Sequence, residues 1–391
     1  MGHIADAKSS LVPLIDRLNQ YPIGLVDNEI LREMLAILFT EEEAYVGSKF
    51  PLMEATLAEM IERTGYPEKK LLPVLESMAD KGIVMDLPYG DKMYYLLMPG
   101  VIGFIEFTFM KNRTDIPMDK VARLMSEYFH WDHKEGQAKE FFGSKTQLTR
   151  SLPYEEHIPV SSEIVSFDSA KDIIMSAMYG AVSMCYCRHK REHEGKSCKK
   201  GAPTEGICIS LGRGSEFLVR RGFAEQKTKA ELLDILQTAE DLRLTHITDN
   251  IREKPTFICN CCGCCCEIMA GVQAGYYKGV NKTPYIAVVD QDVCDYCGDC
   301  FTACNVKAIG LDKAAGNGNG RVSMVKPEVC LGCGACISAC EKGALSMISR
   351  DDYKLPAKTK RNLFMKIAHE KGRLGPLLAT RVKKKLGMKI K

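Results

Sequence analysis

No cysteine precedes Cys185, tryptophan occurs once, and aromatic residues make up only 8% of the 391-residue chain. The opening MGHIADAKSS has neither an apolar core nor a cleavage site, so no export signal is expected and a cytoplasmic location follows. No stretch supplies the roughly 20 apolar residues of a membrane span. The nearest, Met93–Met110, contains Pro99, Gly100, Gly103 and Glu106, and reads as a buried strand followed by a helix. Gly212-Arg-Gly214 is only a fragment of a nucleotide-binding pattern, so neither a flavin nor a nicotinamide site is expected. Hydrophobic residues at 46% and charged residues at 26% exclude disorder, a collagen rod and a heptad rod.

The net charge of +3 conceals an asymmetry. Residues 350–391 hold 14 Lys and Arg against 3 Asp and Glu, whereas residues 1–349 hold 39 against 47. A mildly acidic body therefore carries a strongly basic tail. Leu363, Phe364, Ile367, Leu374, Leu377, Leu378, Val382 and Leu386 follow roughly helical spacing there, and Gly372, Gly375 and Pro376 divide them between two short helices. Such a tail can lie peripherally on the inner face of a membrane, but its own acidic body or an acidic partner is the expected dock.

All 18 cysteines lie between Cys185 and Cys340. Runs such as Cys264-Cys265-Cys266 suit disulfides poorly, because a bridge needs specific Cα separations. Thiolates gathered for metal in a reducing compartment are the better reading.

The most specific pattern is C-x2-C-x2-C-x3-C. It occurs at Cys294, Cys297, Cys300 and Cys304, and again at Cys330, Cys333, Cys336 and Cys340. Val293 and Val329 precede the runs, and Ala308-Ile309 and Ala344-Leu345 follow them. Over residues 285–349 this duplication resembles the bacterial-type ferredoxins with two [4Fe–4S] clusters. Zinc knuckles favour paired C-x2-C units instead. The resemblance implies crossed ligation: Cys294, Cys297, Cys300 and Cys340 hold one cluster, and Cys330, Cys333, Cys336 and Cys304 the other. The family usually has proline after each last cysteine; Asn305 and Glu341 stand there, implying a less rigid loop. Leu311–Arg321 is a Gly/Asn-rich insertion, expected to be exposed.

Ten cysteines remain, in two sets: Cys185, Cys187, Cys198 and Cys208, then Cys259, Cys261, Cys262, Cys264, Cys265 and Cys266. They suffice for one or two further [4Fe–4S] clusters, with structural zinc the alternative for the first set. Cys208 is the expected fourth ligand beside Cys185, Cys187 and Cys198. Arg188, Lys190, Arg191, Lys196, Lys199 and Lys200 crowd the same loop and suit an anionic centre. His189 and His193 read as hydrogen-bonded or solvated, not as ligands. The C-x-C-R and C-N-C-C-G-C-C-C arrangement ahead of a dicluster segment resembles iron–sulfur proteins of anaerobes, which implies a class but no substrate.

The expected fold class is α+β, in four parts. Residues 1–115 should give a helix capped by Asp27 or Asn28 and running to about Phe39, helices over Thr56–Arg63 and Pro67–Lys81 and then a hairpin, an order that resembles a winged helix. Residues 116–284 should be mainly helical around the cysteines, with helices near Met118–Phe129, from a cap at Asp168-Ser169 to about Tyr179, and near Thr228–Leu242, and an extended His157–Val165. Residues 285–349 form the ferredoxin-like part and 350–391 the basic tail. A winged helix suggests DNA, but PEKKLLPVLESMADKG offers Lys69 and Lys70 and then mostly apolar or acidic side chains, which argues against it.

These features imply an electron-transfer protein acting with a redox partner or within a larger oxidoreductase of anaerobic metabolism. The alternatives are a reductase whose middle centre is catalytic and a redox-sensing DNA-binding regulator.

Overall fold

The computed structural model describes residues 11–130, 135–159, 167–312 and 322–378. Capping chemistry sets the N-terminal helices. Asn28 accepts the Leu31 amide and opens Glu29–Leu38. Thr56 and Glu59 cap Leu57–Thr64 reciprocally, and Gly65 ends it in the left-handed region at φ 71°. Glu68–Asp80 follows Pro67. Two further helices, Val12–Leu18 and Glu41–Ser48, are too short to display a helical period in the sequence. Strands β1 (Ala55–Thr56), β2 (Val84–Tyr89) and β3 (Lys92–Leu97) form a sheet in the order β1-β3-β2. Leu14, Leu31, Leu35, Leu71 and Leu75 are fully buried in one core with Leu97 of β3, each contributing about 1.5–3 kcal/mol.

Met93–Met110 is β3 followed by a short helix, Ile105–Phe107. Among the described residues no helix is long and apolar enough to cross a membrane.

The middle of the chain is not mainly helical. Its centre is a seven-stranded sheet in the order β10-β4-β8-β9-β6-β5-β7. The strands are β4 (Thr149–Leu152), β5 (Gly180–Ser183), β6 (Cys208–Leu211), β7 (Ala224–Gln226), β8 (Thr245–Asp249), β9 (Phe257–Cys261) and β10 (Val280–Asn281). Only β10 and β4 pair in parallel. Every residue of β4, β5 and β8 is buried, so these short strands lack the apolar–polar alternation that reveals a strand in sequence. Helices Ala170–Ser176, capped by Ser169, and Lys229–Asp241, capped by Thr228, pack Ile173, Ile174, Leu232 and Leu236 with Leu211 and Ile258 of the sheet. A 3-10 turn, Glu155–His157, leads into the expected extended segment His157–Val165, of which Ile158 has extended backbone. Residues 160–166 lie outside the described residues.

Helix Met118–His130 braces the cysteine region. Ser126 Oγ accepts from Lys190 Nζ at 2.6 Å, and His130 Nε2 lies 2.9 Å from Glu267.

Beyond the large sheet, β11 (Tyr285–Val289) pairs with β14 (Leu345–Ser349), and β12 (Ile309–Asp312) with β13 (Val322–Val325), both antiparallel. Leu311 and Asp312 of the expected insertion Leu311–Arg321 belong to β12, and residues 313–321 lie outside the described residues. The described tail packs on its own chain: helix Lys360–Glu370 buries Leu363, Ile367 and Ala368. Glu370 accepts the Thr146 amide at 2.9 Å, and Glu140 pairs with Lys371 at 3.0 Å and with Arg373. Residues 379–391, with Val382 and Leu386, lie outside the described residues.

Candidate metal centre

The sheet delivers the middle cysteines to one edge. Cys208 opens β6, opposite Ser183, which ends β5. Cys185 follows two residues later as the N-cap of helix Tyr186–His193, with Cys187 in its first turn. Cys259 and Cys261 end β9, and their spacing of two places both on one face. Cys266 is the N-cap of helix Glu267–Gln273.

Six thiols close a ring: Cys185 neighbours Cys187 and Cys208, Cys208 neighbours Cys259, Cys259 neighbours Cys261, Cys261 neighbours Cys266, and Cys266 returns to Cys187. They surround a cavity of about 30 Å³ that Tyr186, Arg188, Asn260 and Ile268 help to line, with Cys262 and Cys265 at its wall. The Cys187 and Cys208 thiols hold Cys185 well below the usual thiol range, and Cys187 and Cys261 do the same for Cys266. Cys259 is lowered to about 6, chiefly by Cys208 and Cys261. The other three alternate with them: burial and the neighbouring thiols raise Cys187, and the neighbouring thiols and burial raise Cys208 and Cys261, so three stabilised thiolates, the form a metal takes, stand among three thiols.

Cys198 does not join Cys185, Cys187 and Cys208. Its sulfur lies with those of Cys262, Cys264 and Cys265, all four within 4.8 Å of one another. The two sets expected from chain order are therefore redistributed as six and four. The reason is local geometry: β9 aims Cys259 and Cys261 one way, and the turn after it aims Cys262, Cys264 and Cys265 another.

The cationic loop also divides. Lys190 is buried and paired with Glu267; Arg191 and Lys196 hold Glu194 at 2.7 and 3.4 Å. Two of the expected cations face the thiols. Arg188 donates to the Asn260 carbonyl at 2.9 Å, keeps a buried Nε without a partner, and is held fully protonated against burial by Cys185, Cys262 and Cys208. Lys200 donates to the Arg243 and Ala303 carbonyls at 2.7 and 2.9 Å; burial lowers it, while Cys333, Cys262, Cys304 and Cys264 oppose the fall. His189 and His193 point elsewhere: His189 Nδ1 lies 2.9 Å from the Phe109 carbonyl and His193 Nδ1 lies 2.6 Å from Asp119.

In the C-terminal segment, Cys304 lies near Cys330, Cys333 senses Cys304 and Cys330, and Cys336 senses all three. Cys304 is thus within electrostatic reach of three cysteines of the second run, and Cys336 is also within reach of Cys300. Burial raises the Cys333 thiol to about 11 and the Cys336 thiol well above its usual value. Amides aim at sulfur in both halves: Ala308 donates to Cys304 Sγ at 3.1 Å and Ala344 to Cys340 Sγ at 3.3 Å. Thiols with amide donors on sulfur fit a cubane cluster. Residues 293–344 match the 4Fe-4S dicluster domain. The chain carries a 4Fe-4S dicluster segment, which supports an iron–sulfur protein. No curated protein and no solved structure matches it.

The dicluster segment is pinned where a looser loop was expected. Asn305 is buried, and its amide donates to the Arg243 carbonyl at 2.8 Å and to Thr245 Oγ1 at 3.0 Å. Glu341, the other departure, is exposed. Thr245 and Asn260 are site residues that sequence reasoning missed. Thr245 Oγ1 donates to Cys333 Sγ at 3.5 Å. Asn260 donates to the Ile207 carbonyl at 2.7 Å and meets His246 Nδ1 at 2.7 Å. The N in C-N-C-C-G-C-C-C was the one visible signal for Asn260.

Proposed function

We propose that this chain is an intracellular electron-transfer protein, a subunit or partner of a larger redox enzyme, that relays electrons between its dicluster segment and a further cluster in the six-thiol ring. Cys294, Cys297, Cys300 and Cys340 would hold one dicluster cubane, and Cys304, Cys330, Cys333 and Cys336 the other. The ring of Cys185, Cys187, Cys208, Cys259, Cys261 and Cys266 offers thiolates for the additional cluster. When bound, these groups supply one-electron chemistry; the chain holds them and sets their surroundings.

One observation carries the reading. Thr245 hydrogen-bonds Cys333 Sγ and stands directly opposite Cys261 in the β8–β9 ladder. A single residue therefore touches a thiol of the dicluster segment and is the cross-strand partner of a thiol of the ring.

The exposed end of the segment suits partner contact. Cys297 is exposed, with exposed Val293 and Phe301 beside Asp290, Asp292, Asp295 and Asp299. A redox partner with a basic, partly apolar face would complement it. The N-terminal part supports a structural role over DNA binding. Lys70 is paired with Glu42 at 2.7 Å, and Asp86 of the hairpin is fastened to Arg220 and Arg221 at 2.8 and 2.7 Å.

The test is a Cys185→Ser/Cys187→Ser variant, purified without oxygen. It should lose about four irons per chain while the dicluster EPR signal persists. A variant with unchanged iron, or a wild type holding only about eight irons, would refute the relay.

A further inference from the structure

We propose that Cys198, Cys262, Cys264 and Cys265 form a separate tetrahedral site for a single zinc ion, which fastens the loop carrying Cys198 to the turn between β9 and helix Glu267–Gln273. The site shares no thiol with the six-membered ring or with the dicluster segment, so it stands whether or not the relay does.

Size is the first argument. Cys198 Sγ lies 3.7 Å from Cys264 Sγ, Cys264 Sγ lies 3.7 Å from Cys265 Sγ, and no pair among the four exceeds 4.8 Å. A tetrahedral ion with zinc–sulfur bonds of about 2.3 Å sets its four sulfurs about 3.8 Å apart. A cubane places each thiolate on a different iron and so holds its sulfurs farther apart. The observed spacing is that of four ligands on one ion.

Chain geometry is the second. Cys262, Cys264 and Cys265 come from four successive residues, and Cys264 and Cys265 are adjacent. A turn this tight can converge three thiols on a point but leaves little room to spread them over separate corners of a cube. The fourth comes from across the site, 66 positions away from Cys264. Residues 196–206 contain neither helix nor strand, so a staple at Cys198 orders a segment that has no ladder of its own.

The surroundings are the third. Four thiolates on a divalent ion leave net negative charge. The Lys199 amide donates to Cys264 Sγ at 3.3 Å, and the buried guanidinium of Arg188 and the Lys200 ammonium flank the group. Donors and cations around the sulfurs are what such a site requires. All four ligand positions are filled by thiols, which makes the site structural rather than catalytic.

The experiment uses the full chain purified without oxygen. Metal analysis should give about one zinc per chain beside the iron, and zinc-edge X-ray absorption should show four sulfurs at about 2.3 Å. Cys198→Ser should lose most of the zinc and keep both iron content and cluster EPR signals. Cys198→His should retain zinc, since three thiolates and one imidazole also suit the ion. A wild type without zinc, zinc bound by oxygen or nitrogen ligands, iron at the site, or loss of iron in Cys198→Ser would each overturn the assignment.

Discussion

Asn305 Oδ1 accepts the Gly263 amide at 3.0 Å, joining the residue after the first dicluster run to the turn that carries Cys262 and Cys264. Gln273 reinforces the junction by donating to the Gly263 carbonyl at 2.8 Å and to the Asn305 carbonyl at 2.9 Å. The backbones meet so closely that a Cβ on Gly263 would come within 2.6 Å of the Asn305 carbonyl oxygen. Glycine is required there by contact, and asparagine by hydrogen bonding.

Asn305→Ala should lower stability by about 1–3 kcal/mol, because it removes the acceptor of the Gly263 amide in a part-buried junction and one of the two donors to the Arg243 carbonyl, which keeps only Lys200. Anaerobic denaturant unfolding followed by circular dichroism checks this. A change within error of wild type would show that the junction carries no strain-bearing role.

Cys304→Ala should remove the cluster associated with Cys330, Cys333 and Cys336 and spare the one associated with Cys294, Cys297 and Cys300. Iron should fall by about four per chain, and the spin coupling between neighbouring reduced clusters should vanish from the EPR spectrum. Loss of the other cluster instead would mean uncrossed ligation.

Glu106 couples stability to pH. Burial raises its carboxyl from 4.5 to about 7, despite the Gly103 amide 2.9 Å from Oε2. The folded state therefore holds a proton that the unfolded chain releases, so stability falls as pH rises from about 4.5 to 7 and levels off above, by about 3 kcal/mol in all. Glu106→Gln keeps the acceptor and removes the proton. Its stability relative to wild type should grow across that window, as measured by unfolding midpoints at several pH values.

Glu140 acts with the opposite sign. Burial opposes its charge, but Arg373, the Gly24 amide and Lys371 outweigh burial and hold the carboxyl below its ordinary value. Its contribution is full at neutral pH and is lost as pH falls through that depressed value. Glu140→Gln should loosen helix Lys360–Glu370 and speed amide exchange there several-fold at neutral pH, leaving exchange in β8 and β9 unchanged. Equal exchange in the variant and wild type would show that the tail is held by Leu363 and Ile367 alone.

The duplicated cysteine run was legible because a cubane imposes its spacing on consecutive residues, and that spacing survives as text. The helix caps at Asn28 and Ser169 were legible for the same reason, since capping is decided within a few residues, whereas the reciprocal caps at Thr56 and Thr228 came only with the structure. The large sheet was not. Its strands are short and β4, β5 and β8 are buried on both faces, so β8, THITD, carries no periodic mark; pairing with β4 and β9 makes it a strand. The partition of the middle thiols was equally hidden. Chain order grouped Cys198 with Cys185, Cys187 and Cys208, yet the turn after β9 draws it to Cys262, Cys264 and Cys265. Local spacing can announce that metal is bound, but which thiols share a centre depends on strands and turns that meet only after the chain has folded.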